Sequence, residues 1–161
     1  MHRVKFDEID WRILKYLQDD GRITNVQLAE KSGITAPPCL RRVRALEEDG
    51  YIRGYHADLN AEALGYSLTV FAMVGLHSQA ENDLQSFEEL VASWPLVREA
   101  YMLNGEIDFI LKIVAKDLSQ FQHFLTTQLT PAPNVANVKT SLTIRTSKNE
   151  HGVPLDMGAN L

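Results

Sequence analysis

Three guanidinium groups stand close together at Arg41, Arg42 and Arg44, directly behind a pair of prolines, in the stretch GITAPPCLRRVRALEEDGY over residues 33–51. The planar arginine fork matches phosphate oxygens and the O6/N7 edge of guanine, so arginines grouped on one helix face point to a polyanion as partner. With Thr35 as N-cap, Pro37 and Pro38 fall in the first turn, where backbone N–H groups have no intrahelical acceptor, and they stiffen the helix start at little cost. Stepping about 100° per residue from Leu40 gathers Leu40, Val43, Leu46 and Cys39 on one arc and turns Pro38, Arg41, Arg42 and Ala45 to the other side. Arginines in the first half, with Glu47, Glu48 and Asp49 in the last turn, oppose the helix dipole by roughly 0.3–1 kcal/mol each at exposed positions. An external anion at the arginine end would offset that cost.

A second constellation is LNGEIDF, residues 103–109. Asn104-Gly105 is a turn signal between two strands, and Asp108 places a carboxylate just ahead of the apolar run of the next strand. Such a group can pair with an ammonium, while backbone N–H groups beside the bare Gly105 can receive a carboxylate. Together they suit a free amino acid. Catalytic groupings are not evident. His2, His56, His77, His123 and His151 lack metal-ligand spacing, Cys39 falls on the buried side of its helix, and neither a nucleophile elbow nor a Gly-rich phosphate loop is present. The expectation is a binding protein with neither metal nor cofactor, not an enzyme.

These residues need a scaffold, and the apolar periodicity supplies one. Phe6, Ile9, Ile13, Tyr16 and Leu17 share one helical arc with Asp7 as N-cap, and Thr24 with Gln27 forms a capping box for a short second helix ending at Gly33. The arginine segment is then the third helix, closed by Gly50. Such an order is that of a helix-turn-helix, whose last helix enters the major groove of double-stranded DNA. The stretch YIRGYHADLN reads as two short strands about Gly54, a small wing, and NAEALGY as a helical turn acting as linker. From Tyr66 the pattern runs strand (66–76), helix (81–93), strand (97–103), strand (109–114), helix (118–129), strand (137–146), the ferredoxin-like βαββαβ order. The fold class is therefore α+β, with residues 1–60 as a winged helix-turn-helix and 61–161 as a ferredoxin-like domain ending, from Ser147, in a loose arm. Strands 66–76 and 109–114 are apolar on both faces, and two helices cover only one, which predicts a homodimer through the sheets.

The chain has 161 residues, 45% of them hydrophobic, and a net charge of -5. Residues 1–60 carry ten basic and ten acidic side chains and residues 61–161 six and eleven, so the cationic patch sits in a neutral half of an acidic protein. No apolar run reaches the ~20 residues of a membrane span, and one cysteine admits no intrachain disulfide. Both features suggest the cytoplasm.

FDEIDWRILKYLQDDGRITNVQLAEKSGIT, LRRVRALEEDGYIRGY and NGEIDF, in that order, resemble the Lrp/AsnC family of feast/famine transcription regulators, from about Phe6 to Lys148. The resemblance implies a DNA-binding regulator that senses an amino acid and assembles as dimers and often octamers. It implies DNA contacts from Thr35, Pro38, Arg41, Arg42 and Arg44, and effector contacts from Asn104, Gly105 and Asp108, joined by the hydroxyls of Thr140 and Ser141 on the last strand. APP at 36–38 departs from relatives that carry a small residue or serine there. An oligomeric amino-acid-binding scaffold without DNA affinity is the alternative.

Overall fold

The computed structural model describes residues 7–155; Phe6 and His2 lie outside them. The chain divides into two compact units, one reaching Asp58 and taking back the segment from Lys148, the other Leu59–Ser147.

In the first unit, helices α1 (Glu8–Asp19), α2 (Asn25–Ser32) and α3 (Ala36–Glu48) follow the expected order. Asp7 caps α1 by accepting from the amides of Ile9 and Asp10 at 2.9 and 3.0 Å, and the Asp10 side chain answers the Asp7 amide. Thr24 and Gln27 form the reciprocal box that starts α2. Gly33 follows at φ 76°, a left-handed value that glycine adopts without strain. Ile13, Leu28, Ala29, Cys39 and Leu46 make the core of this bundle.

The anticipated wing strands do not form. Residues 53–60 run without ladder partners, in keeping with the marginal stability of a lone hairpin carrying few apolar side chains. Side-chain contacts hold the stretch instead. Ile52 packs against the bundle core, and the Tyr55 hydroxyl donates to Glu47 Oε1 at 2.9 Å. Gly21 makes room for the Tyr55 ring, since a Cβ there would meet it at 3.4 Å.

The second unit opens with a turn over residues 61–65 and continues as β1 (Leu68–Leu76), α4 (Glu81–Ala92), β2 (Val97–Met102), β3 (Phe109–Ala115), α5 (Leu118–Phe124) and β4 (Val135–Leu142). The antiparallel sheet has the order β2-β3-β1-β4, which is the ferredoxin-like arrangement. Alternation along β1 and β3 buries Val70, Ala72, Val74, Leu111 and Ile113 against Phe87, Trp94, Phe121 and Phe124 from the helical side. The rings of Phe87 and Phe124 meet Trp94 edge-on, with centroids at 6.1 and 5.3 Å. The expected single helix over 118–129 changes to a π-helical turn at Leu125–Leu129. There the hydroxyls of Thr126 and Thr127 bond back to the carbonyls of Gln122 and His123 and compete with the regular ladder.

The arm after Ser147 is not loose over its described residues. Gln18 donates to the Val153 carbonyl at 2.8 Å and accepts from the Val153 amide at 2.9 Å, while His151 lies 3.2 Å from Asp58. Aperiodic polar sequence hides such an anchor, because the bonds run to the backbone.

Candidate nucleic-acid interface and effector site

Helix α3 places its three arginines differently. Its buried axis runs through Cys39 and Leu46, at 0% and 2% exposure, whereas Leu40 is 39% exposed. On a wheel of about 100° per residue, Arg42 lies only about 40–60° from that axis. The solvent arc is instead Pro37, Leu40, Arg41 and Arg44, all exposed. Pro38 is half-buried and lines a groove with Asp7 and Asp10.

Arg42 is engaged within the bundle. Its Nη1 donates to Asp10 Oδ1 at 2.7 Å and to Asp7 Oδ1 at 2.9 Å, and its Nη2 lies 2.9 Å from Asp7 Oδ2. Asp10 is 2% exposed, so the guanidinium neutralises a buried carboxylate and ties α3 to the N-terminal cap of α1. Burial alone would raise the Asp7 carboxyl, but the Asp10 amide, the Arg42 guanidinium and the Ile9 amide hold it below its ordinary value. The bond to Asp10 pushes the Arg42 guanidinium above its usual range against the effect of burial. The expectation that Arg42 stands free beside Arg41 is thereby corrected: sequence spacing placed it on the outer side, and a carboxylate pair on another helix claims it. The signal was Asp7, read only as a helix cap, with a second carboxylate one turn on at Asp10.

Thr35 adopts extended cap geometry, φ -86° and ψ 159°, yet its hydroxyl makes no capping bond. The reason lies in the sequence. A cap side chain bonds the amides of the second or third helical residue, and both of those are prolines. The Thr35 hydroxyl is left exposed at the same end of α3 as Arg41. Burial pushes the Cys39 thiol up, as befits an inert core side chain.

In the second unit Asn104 and Gly105 are exposed in a loop of residues 103–108. Neither residue has positive φ, so this is a wider connection than a two-residue Asn-Gly hairpin. A Cβ on Gly105 would meet nothing within 4 Å, which leaves the neighbouring backbone open. Asp108 is half-buried. Its amide donates to the Val74 carbonyl at 3.0 Å, its carbonyl accepts from Leu103 at 2.8 Å, and its Oδ2 accepts from the Leu76 amide at 2.6 Å. The carboxylate thus satisfies a β1 amide where the β1–β4 register shifts at Gly75/Leu76, and its Oδ1 has no bond among the described residues. Thr140 and Ser141 lie opposite Ala72 and Phe71, so they face opposite sides of the sheet. The register separates them from Asp108 by about 10 Å across two strands and about 10 Å along them. One chain therefore brings Asn104, Gly105 and Asp108 together but not the two hydroxyls.

Two family models divide the chain as the elements do: winged helix-turn-helix DNA-binding over residues 6–53 and Lrp/AsnC ligand binding domain over 69–153. The chain belongs to the Lrp/AsnC family. A leucine-responsive regulatory protein of Rhizobium meliloti is 60% identical over 147 residues, covering 91% of this chain and 94% of the relative. The Bkd operon transcriptional regulator of Pseudomonas aeruginosa is 40% identical, with 94% and 99% covered. Among solved structures, a Neisseria meningitidis transcriptional regulator in complex with L-Met superposes with a TM-score of 0.89 at 33% identity, covering 94% of this chain and 98% of its own. An AsnC family regulator of Agrobacterium tumefaciens gives 0.88 at 30%, with 96% and 100% covered. Membership of the Lrp/AsnC family accounts for the pairing of a DNA-binding unit with a ligand-binding one. Among the described residues, no helix is long and apolar enough to cross a membrane.

Proposed function

We propose that this Lrp/AsnC family chain is a cytoplasmic transcriptional regulator that binds double-stranded DNA through the exposed arc of α3 and adjusts that binding to a free amino acid. The observation that carries the reading is the pair of exposed arginines, Arg41 and Arg44, which have no partner among the described residues, on the solvent face of the last helix of a helix-turn-helix. Thr35 supplies an uncommitted hydroxyl at the helix start. Arg42 braces the helix from behind, and Pro38 acts through rigidity, not contact. For the effector, Asp108 Oδ1 receives the ammonium and the open backbone at Asn104 and Gly105 receives the carboxylate. That the Neisseria relative was crystallised with L-Met favours an amino acid as the ligand class. Thr140 and Ser141 reach such a ligand only from another copy of the chain.

A dimer is the unit of binding in this reading. The sheet face away from the helices carries Phe71 at 37% exposure with Met73 and Ile110 beside it, and a second copy covers it. Higher assemblies such as an octamer multiply the recognition helices that meet DNA together, and the effector acts by favouring one arrangement over another.

Gel retardation with the DNA upstream of the protein's own coding region tests the core of this. A complex whose affinity falls with salt, with Arg41→Ala and Arg44→Ala each lowering the log–log slope by about 0.9, is expected; no complex at low salt refutes it. Calorimetry on Asp108→Ala tests the sensor, once a thermal-shift screen of the twenty amino acids has found the ligand by its rise in melting temperature.

A further inference from the structure

We infer that Leu40 is a base-reading residue that packs on the C5-methyl of a thymine, so that the α3 site prefers a guanine with a thymine beside it. The inference rests on the DNA-binding reading of α3 and specifies what that surface recognises. It starts from the chemical inventory of the exposed arc. Pro37, Leu40, Arg41 and Arg44 occupy it, with Glu48 beyond them, and on the helical wheel they fall within about 100° of one another. Arg42 is withdrawn to Asp7 and Asp10, and Glu47 is taken by Tyr55.

The four base pairs present distinct patterns in the major groove, each suited to particular side chains. Adenine is read bidentately by Asn or Gln, cytosine by a carboxylate acceptor, guanine by Arg, and thymine by apolar contact with its methyl. The arc holds neither Asn nor Gln, so bidentate adenine reading is closed to it. Its cationic groups suit guanine or phosphate. What remains is an apolar ridge of Leu40 and Pro37, one turn apart, flanked by Arg41 and Arg44. A leucine contributing to the bundle would face Cys39 and Leu46. Leu40 instead keeps 39% of its surface in solvent, in the first half of the helix, where recognition helices meet base edges. The prolines reinforce this by removing the N–H donors of positions 37 and 38 from the first turn, which shifts discrimination toward side-chain shape.

The test removes one methyl at a time from the DNA. The full chain selects its best duplex from a random pool, and each thymine is then replaced by deoxyuracil, which keeps every hydrogen-bonding group and lacks only the methyl. With the wild-type chain, uracil at one thymine per half-site should weaken binding by about fourfold, the value of one buried methyl-sized group. With Leu40→Ala the thymine and uracil duplexes should bind equally well, and the melting temperature should stay that of the wild type. A flat uracil scan with the wild-type chain overturns the inference without recourse to any variant. An undiminished uracil penalty in Leu40→Ala overturns it too. Failure to select or retard any duplex overturns the DNA-binding reading itself, a separate result.

Discussion

Replacing Arg42 with alanine separates the bracing role from the DNA-contacting one. The substitution strips the buried Asp10 carboxylate, 2% exposed, of a guanidinium at 2.7 Å, and removes the link to Asp7. Asp7 keeps 46% of its side chain in solvent and can be rehydrated, so its share is small, about 0–1 kcal/mol. Asp10 is buried and keeps the Asp7 amide at 3.2 Å as its remaining donor, with no opposite charge beside it. Leaving a buried charged acceptor unpaired costs about 1–3 kcal/mol and, where burial is complete, about 3–5 kcal/mol. Because Arg42 is itself 33% exposed, water partly replaces it, and a loss of about 2–3 kcal/mol follows. In so small a unit 1 kcal/mol corresponds to about 4–8 °C, so its melting temperature should fall by about 10–20 °C. Hydrogen exchange of the α1 and α3 amides reports on this unit separately from the sheet unit. Arg41→Ala should leave those amides within about 0.5 kcal/mol of wild type while weakening DNA binding. In a double-mutant cycle, Asp10→Ala should cost less in the Arg42→Ala background than in the wild type. If Arg42→Ala matches Arg41→Ala in exchange and differs from wild type only in DNA affinity, the bracing assignment is wrong.

Three other outcomes follow from the geometry. Burial, then the bond to Glu47, pushes the Tyr55 hydroxyl up to about 12. The folded state thus favours the neutral phenol, so this contribution is whole below the ordinary value of 10.0 and lost between pH 10 and about 12. Alkaline unfolding of the helical unit, followed by tyrosinate absorbance, should flatten in Tyr55→Phe. Alanine at Gly152 would drive its Cβ into the Gln18 side chain at φ 82°, so Gly152→Ala should release the tail, raising amide exchange and protease cleavage over residues 149–155; unchanged protection refutes the anchor. Finally, Phe71→Asp should convert the proposed dimer to a monomer in sedimentation at micromolar concentration, whereas a stable dimer of this variant would place the interface elsewhere.

Local rules made much of this protein legible. Asp7, Thr24 with Gln27, Gly33 and Gly50 marked the helix boundaries, because capping and left-handed turns depend on residues within one turn of each other. The spacing over residues 66–76 and 109–114 marked two strands apolar on both faces for the same reason: strand periodicity is a property of the segment itself, whereas which face the helices cover was left to the structure. The loop holding Gly105 and Asp108 was equally visible, as were three arginines on one helix. Even the idle Thr35 hydroxyl was written in the sequence, since two prolines cannot donate to it.

The remainder depended on partners far away along the chain. Which of Arg41, Arg42 and Arg44 is free turned on Asp7 and Asp10, more than thirty residues distant. A rotation of α3 by some 40–50°, set by packing against α1 and α2, exchanged Leu40 and Arg42 between the outer and inner sides. A one-dimensional wheel fixes relative angles but not the direction of the neighbours. Tyr55, not a ladder, holds the segment after α3, and the tail reaches Gln18 across 135 positions through backbone atoms that every residue type shares. The amino-acid sequence alone thus determined the elements, their order and the chemistry they carry. Tertiary packing decided which charges are consumed inside the molecule and which remain to meet a ligand, because pairing energies are set by proximity in space and by exclusion of water, and neither follows from separation along the chain.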